Sequence, residues 1–111
     1  MIEKIILDHL NSKPTEQVYL EHPDPAPSTF VLIEKTGSGR SNRLPSSTFA
    51  FQSYAESLYD AAVLNEKVKE AADSLETLDE IGRVRLNTDY NFTDTTTKKY
   101  RYQAVYDIAH Y

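Results

Sequence analysis

TFVLIEKTGSGRSNRLPSSTFAFQS, residues 29–53, is the stretch on which the fold turns. Thr29 to Lys35 contain four consecutive apolar side chains, Phe30 to Ile33, which reads as a strand covered on both faces. Ser47 to Ser53 alternate: Phe49 and Phe51 fall on one side of an extended chain, and Thr48, Ala50 and Gln52 on the other. The eleven residues between, 36–46, are polar, carry two glycines and end at Pro45, and read as a long flexible loop. The sequence therefore predicts a hairpin with a long tip.

On the C-terminal side, Ser53 and Glu56 have the spacing of a capping box, which predicts a helix running to about Leu75. Its expected buried stripe is Leu58, Ala61, Ala62, Val68, Ala71, Ala72 and Leu75, broken by Asn65, with Glu66, Lys67, Lys69 and Glu70 in solvent. Residues 80–90 read as a strand with Val84 and Leu86 inward and Arg83, Arg85 and Asn87 outward. NFTDTTT (91–97) reads as a polar turn. KKYRYQAVYDIAHY (98–111) reads as a closing strand in which Tyr100, Tyr102, Ala104, Tyr106 and Ile108 alternate with Arg101, Gln103, Val105, Asp107 and Ala109.

On the N-terminal side, Ile2, Ile5, Ile6, His9 and Leu10 share a helical stripe over residues 2–11, ended by Asn11, Ser12 and Pro14. QVYLE (17–21) reads as a short strand. HPDPAP (22–27) has prolines at alternate positions and reads as a connector or sheet edge, since proline removes ladder donors. The order α-β-β-β-α-β-β does not alternate strand with helix. It predicts an α+β fold: a mostly antiparallel sheet of about five strands, with two helices packed on one face, in a single domain over 1–111.

A chain of 111 residues is long enough to bury a core without staples. It has no cysteine, which excludes disulfides and thiolate chemistry. The opening residues are amphipathic and carry Glu3 and Asp8, unlike a secretory signal, and no stretch reaches the roughly 20 apolar residues of a membrane span. The expectation is a soluble protein. Net charge is −5, against the basic excess of a stand-alone nucleic-acid binder. Eight tyrosines and no tryptophan point to strands and interfaces.

No residue pattern specifies catalysis, a cofactor or a metal. His9 reads as a packed, hydrogen-bonded core imidazole and His22 as a loop partner of Asp24. Asp107 and His110 are three apart on a strand and so face opposite ways. The cluster Gly37, Gly39, Arg40, Asn42 and Arg43 has glycines and cations but lacks the Gly-Lys-Ser/Thr ending and following helix of a phosphate loop. It reads as a hairpin tip, with a partner-docking loop as the functional alternative and a small phosphate- or nucleotide-binding site as a lesser one. Tyr100, Arg101, Tyr102 and Tyr106 are the candidate interface residues. Cation and rings alternate there, so packing is favoured over a nucleic-acid platform.

The runs FVLIEKTGSGRSN (30–42), STFAFQSYAESLYDAAVLNEKVKEA (47–71) and LNTDYNFTDTTTKKYRYQAVYDIAHY (86–111) together resemble the tail terminator, or tail completion, proteins encoded in head–tail gene clusters of phages and prophages of low-GC Gram-positive bacteria. The resemblance implies a non-enzymatic α+β subunit without cofactor. It implies a ring, usually a hexamer, at the head-proximal end of the virion tail, assembled in the host cytoplasm. Its partners would be copies of itself, the tail tube protein and the head–tail connector, with DNA passing through the lumen without specific binding. A head-closure, neck or minor capsid role in the same particle is the neighbouring alternative. On this reading the 36–46 loop and the 91–97 turn are free to order on docking.

Overall fold

The computed structural model describes residues 2–13, 16–41, 44–97 and 99–111. Helix α1 (Ile2–Asn11) is followed by β1 (Val18–Tyr19), β2 (Phe30–Ser41), β3 (Leu44–Ala55), α2 (Leu58–Asp73), a single 3-10 turn (Ser74–Thr77), β4 (Ile81–Asn91) and β5 (Tyr100–His110). The five strands form one sheet in the order β1-β2-β3-β5-β4. Only β1 runs parallel to its neighbour, pairing at Val18–Val31 and Tyr19–Leu32; the other contacts are antiparallel. The α+β class and the predicted element order hold.

Both helices pack on one face of the sheet, here called the inner face. Ile2, Ile6 and Leu10 of α1 and Leu64, Val68, Ala71 and Ala72 of α2 join Val31, Ile33, Phe49, Phe51, Tyr106 and Ile108 in one core cluster. The small residues Ala61, Ala71 and Ala72 bring α2 close to the strands. Each fully buried Phe here contributes about 1.5–3 kcal/mol through removal of apolar surface from water.

Several local expectations are corrected. The segment 36–46 is not a loop where it is described: β2 continues through Gly37, Ser38, Gly39 and Arg40 to Ser41, which pairs with Leu44. Asn42 and Arg43 lie outside the described residues. Backbone pairing to β3 carries the ladder past the end of the apolar pattern. Pro45 fits because β3 meets β5 only from Ser46 onward, so no second ladder needs its missing donor. The expected strand at 17–21 shrinks to the two residues of β1.

Ser53 does not cap a helix. It sits in β3 between Val31 and Tyr102, fully buried. The cap is Ser57, whose Oγ accepts the Asp60 amide at 3.1 Å, and strand pairing to Ala55 delays the helix to Leu58. The shift leaves Leu58 40% exposed rather than buried. Asn65, expected to break the stripe, is itself buried, and Lys69 is held against the sheet. In β4 two bulges, between Ile81 and Arg83 and between Leu86 and Thr88, interrupt simple alternation. Val84 is half-buried on the inner face, and Leu86 is 39% exposed there because α2 does not reach across the edge strand.

Candidate interaction surface

Among the described residues no helix covers the other face of the sheet, yet much of it is closed to water. Cross-strand register puts Phe30, Tyr54 and Arg101 in one row and Leu32, Gln52, Gln103 and Tyr90 in the next. Side chains seal these rows laterally. Arg101 Nη1 donates to the Tyr54 hydroxyl at 2.8 Å, which donates to Gln52 Oε1 at 3.2 Å. Gln52 Nε2 donates to Gln103 Oε1 at 2.8 Å, and Gln103 Nε2 donates to the Tyr90 hydroxyl at 2.6 Å. This polar ribbon crosses three strands with its amides fixed by partners on either side.

Aromatic rings extend the ribbon at both ends. Phe30 stacks on Tyr54 with centroids 4.5 Å apart and planes 8° from parallel, and Tyr19 meets Phe30 edge-on. His22 stands edge-on to both Phe30 and Tyr54, so it packs into this cluster rather than serving as a loop partner of Asp24. Tyr90 meets Phe92 edge-on, and the Arg101 guanidinium lies 4.3 Å over the Phe92 ring. Arg101 Nε also donates to the Phe92 carbonyl at 2.7 Å. Arg101 is thus pinned between two aromatic groups in a cation–π arrangement.

Two depressions open on this face. One, about 290 Å³, is bordered by His22, Pro27, Phe30, Tyr54, Lys99 and Tyr100. The other, about 220 Å³, is lined by Ser46, Arg83, Arg85, Asp107 and Ala109 near the opposite end of the strands. In the second, Asp107 is already engaged: it accepts Thr48 Oγ1 at 2.8 Å and Asn87 Nδ2 at 3.2 Å. Among the described residues Arg85 makes no hydrogen bond or ion pair.

The predicted site residues divide. Tyr106 is fully buried on the inner face, its hydroxyl donating to Asp73 Oδ1 at 3.0 Å, so it is core and offers no surface. Burial, then the neighbouring Asp73, pushes its phenol well above the ordinary range. Tyr100 and Tyr102 are half-buried at the start of β5, and Arg101 is half-buried and locked as above. Gly37, Gly39 and Arg40 are exposed on the β2 arm, away from Tyr100 and Arg101 at the other end of the sheet. The 91–97 turn is held by its own bonds: Asp94 Oδ1 accepts the amides of Thr96 at 2.9 Å and Thr97 at 3.4 Å, and Asn91 Oδ1 accepts that of Thr93 at 3.0 Å. Those amides hold the Asp94 carboxyl below its usual range.

The inner face holds a further group of ionisable side chains. Lys69 donates to Asp89 at 2.9 Å and to Glu66 at 3.0 Å, and Asn65 donates to Asp89 at 3.0 Å. The bond from Lys69 keeps Asp89 below the carboxylate range. His9 Nε2 lies 2.8 Å from Ser74 Oγ, as a packed imidazole should, and burial with nearby Lys13 lowers its affinity for a proton. His110 faces inward to Ser47 while Asp107 faces outward to Thr48, the opposition their spacing predicts. The outer ribbon of Gln52, Tyr54, Tyr90 and Gln103 escaped the sequence reading. The available signal was the matching parity of the two glutamines on strands expected to lie in one sheet. No helix among the described residues is long and apolar enough to cross a membrane. No family model matches this chain, and no curated protein matches it.

Proposed function

We propose that this chain is a structural subunit that associates with copies of itself in a virion, as a ring that ends the tail tube of a long-tailed phage and meets the head connector. The observation that supports this most directly is the pairing of two unlike exposed faces. A laterally hydrogen-bonded sheet face lies on one side, and on the other lies α2, whose solvent side carries Glu66, Glu70 and Asp73. Ring formation requires two different complementary patches on each subunit. Preformed surfaces of ordered aromatic and amide side chains lose little freedom on docking. The resemblance of residues 30–42, 47–71 and 86–111 to tail terminators is the support for this choice of particle and position. On this reading the tail tube protein and the connector are further partners, and DNA crosses the ring without a dedicated site.

Deleting the coding sequence in its phage or prophage and measuring tails by electron microscopy tests the role. The expected result is tails of uncontrolled length that fail to join heads. Tails of normal length, joined normally, overturn the proposal. Labelling the protein in intact particles separates a terminator from a neck or minor capsid subunit.

A further inference from the structure

Val18 belongs to an edge strand, yet its backbone is engaged by a side chain as well as by the ladder. Asn11, at the C-terminal end of α1, accepts the Val18 amide on Oδ1 at 3.0 Å and donates from Nδ2 to the Val18 carbonyl at 3.4 Å. A bare amide and carbonyl at a sheet edge invite another strand, and here one carboxamide occupies both. The same two bonds staple α1 to β1.

Helix and strand together are held to the rest of the molecule more lightly than the central strands are held to one another. β1 pairs with β2 at two positions, Val18–Val31 and Tyr19–Leu32, and the Val31 amide donates to the Gln17 carbonyl at 3.0 Å. β3 and β5 are instead paired on both sides along most of their length. Helix α1 adds Ile2, Ile6 and Leu10 to the core, and the His9–Ser74 bond ties it to the turn after α2. Beyond Tyr19 the chain passes through Leu20 and Glu21, both exposed and in no strand. His22 then anchors it again, edge-on against Phe30 and Tyr54. Leu20 and Glu21 thus have the place of a hinge.

We propose that α1 and β1 form a strap, stapled by Asn11, that covers the first part of the β2 edge and lifts from it as one unit while the other four strands stay paired. Closed, the strap leaves β2 bare only beyond Leu32. Lifted, it bares one edge of β2 from Phe30 to Ser41. Such an opening costs less than global unfolding, because it breaks few ladder bonds and leaves the centre of the sheet intact. The strap belongs to the single chain and does not depend on a place in a virion.

Native-state amide hydrogen exchange of the full chain in low, sub-denaturing urea tests this. The amides of Ile6 to Leu10, Val18 and Val31 are expected to exchange through one shared opening, about tenfold or more faster than those of β3 and β5. Their urea dependence is expected to be weaker, because less surface is exposed. Asn11 is itself exposed, so Asn11→Ala leaves the core in place. That variant is expected to speed exchange at Val18 and Val31 by about tenfold relative to α1, because the staple is cut. Exchange of α1, β1 and Val31 at the rate and urea dependence of β3 and β5 overturns the strap. Separate openings of α1 and β1 in the wild type, or unchanged exchange at Val18 and Val31 in Asn11→Ala, overturn the single unit.

Discussion

The β2–β3 hairpin is one hydrogen-bonded ladder set in two environments. At its root, Phe30 to Ile33 pair with Phe51 to Tyr54, with the helices on one side and the aromatic–amide ribbon on the other. In its arm, Gly37 to Ser41 pair with Leu44 to Thr48, and Gly37 to Arg40 on the β2 side are exposed. The molecule extends 42 Å along its longest axis against 24 and 23 Å across. The comparison teaches that ladder and burial are separable. Pairing carries the strand outward, while packing energy is concentrated at the root.

The largest expected effect comes from breaking the root. Phe51 is fully buried with its ring against Phe49 and Tyr106. Phe51→Ala is expected to cost about 3–5 kcal/mol, read as a lowered urea midpoint. A loss below about 1 kcal/mol would show that the root is not the energetic centre. Next comes the outer ribbon. Gln103→Ala strands Gln52 and Tyr90 and is expected to cost about 1–2 kcal/mol, with a change in the near-ultraviolet tyrosine signal.

A smaller effect, about 1 kcal/mol, is expected at neutral pH for Asp89→Asn, which removes the seam between α2 and β4. Because the folded carboxyl is held below its ordinary value, its contribution is full above the unfolded carboxylate range and is lost as pH falls through the folded value. The gap between wild type and variant should therefore close on acidification in urea melts run from neutral to acidic pH. The smallest effect belongs to the arm. A side chain at Gly39 meets nothing within 4 Å, and no glycine has a positive φ. Gly39→Ala is expected to stabilise by about 0.5 kcal/mol through the unfolded chain, seen as a slightly raised melting temperature. A clear loss there would mean that the arm is packed, against the comparison drawn above.

The root was legible in the sequence for the same reason that it is stable. Four consecutive apolar residues and the Phe49/Phe51 alternation report burial directly, and so does the stripe of α1 from Ile2 to Leu10. The arm was not legible, because Gly37 to Ser41 are held by backbone pairing that leaves no apolar signature. The misplaced cap has another cause. Ser53 and Ser57 both precede an acidic residue three positions on, and only pairing of β3 with β5 through Ala55 decides between them. Among the site residues, Arg101 and Tyr100 lie on or beside the outer face, while Tyr106 shares Tyr100's parity but falls under α2. Parity alone does not say where along a strand the covering helix lies.

One feature of β2 bears on how such a protein survives at high concentration. Beyond Leu32 its free edge has no neighbour among the described strands, and an uncovered edge of that length invites indiscriminate β-pairing. The register shift between Lys35 and Gly37 puts Thr36 out of step, and Lys35 and Arg40 add charge on either side. A bulge and flanking charges oppose continued pairing along such an edge, so a chain lacking Thr36 is expected to aggregate more readily, read as increased light scattering on concentration.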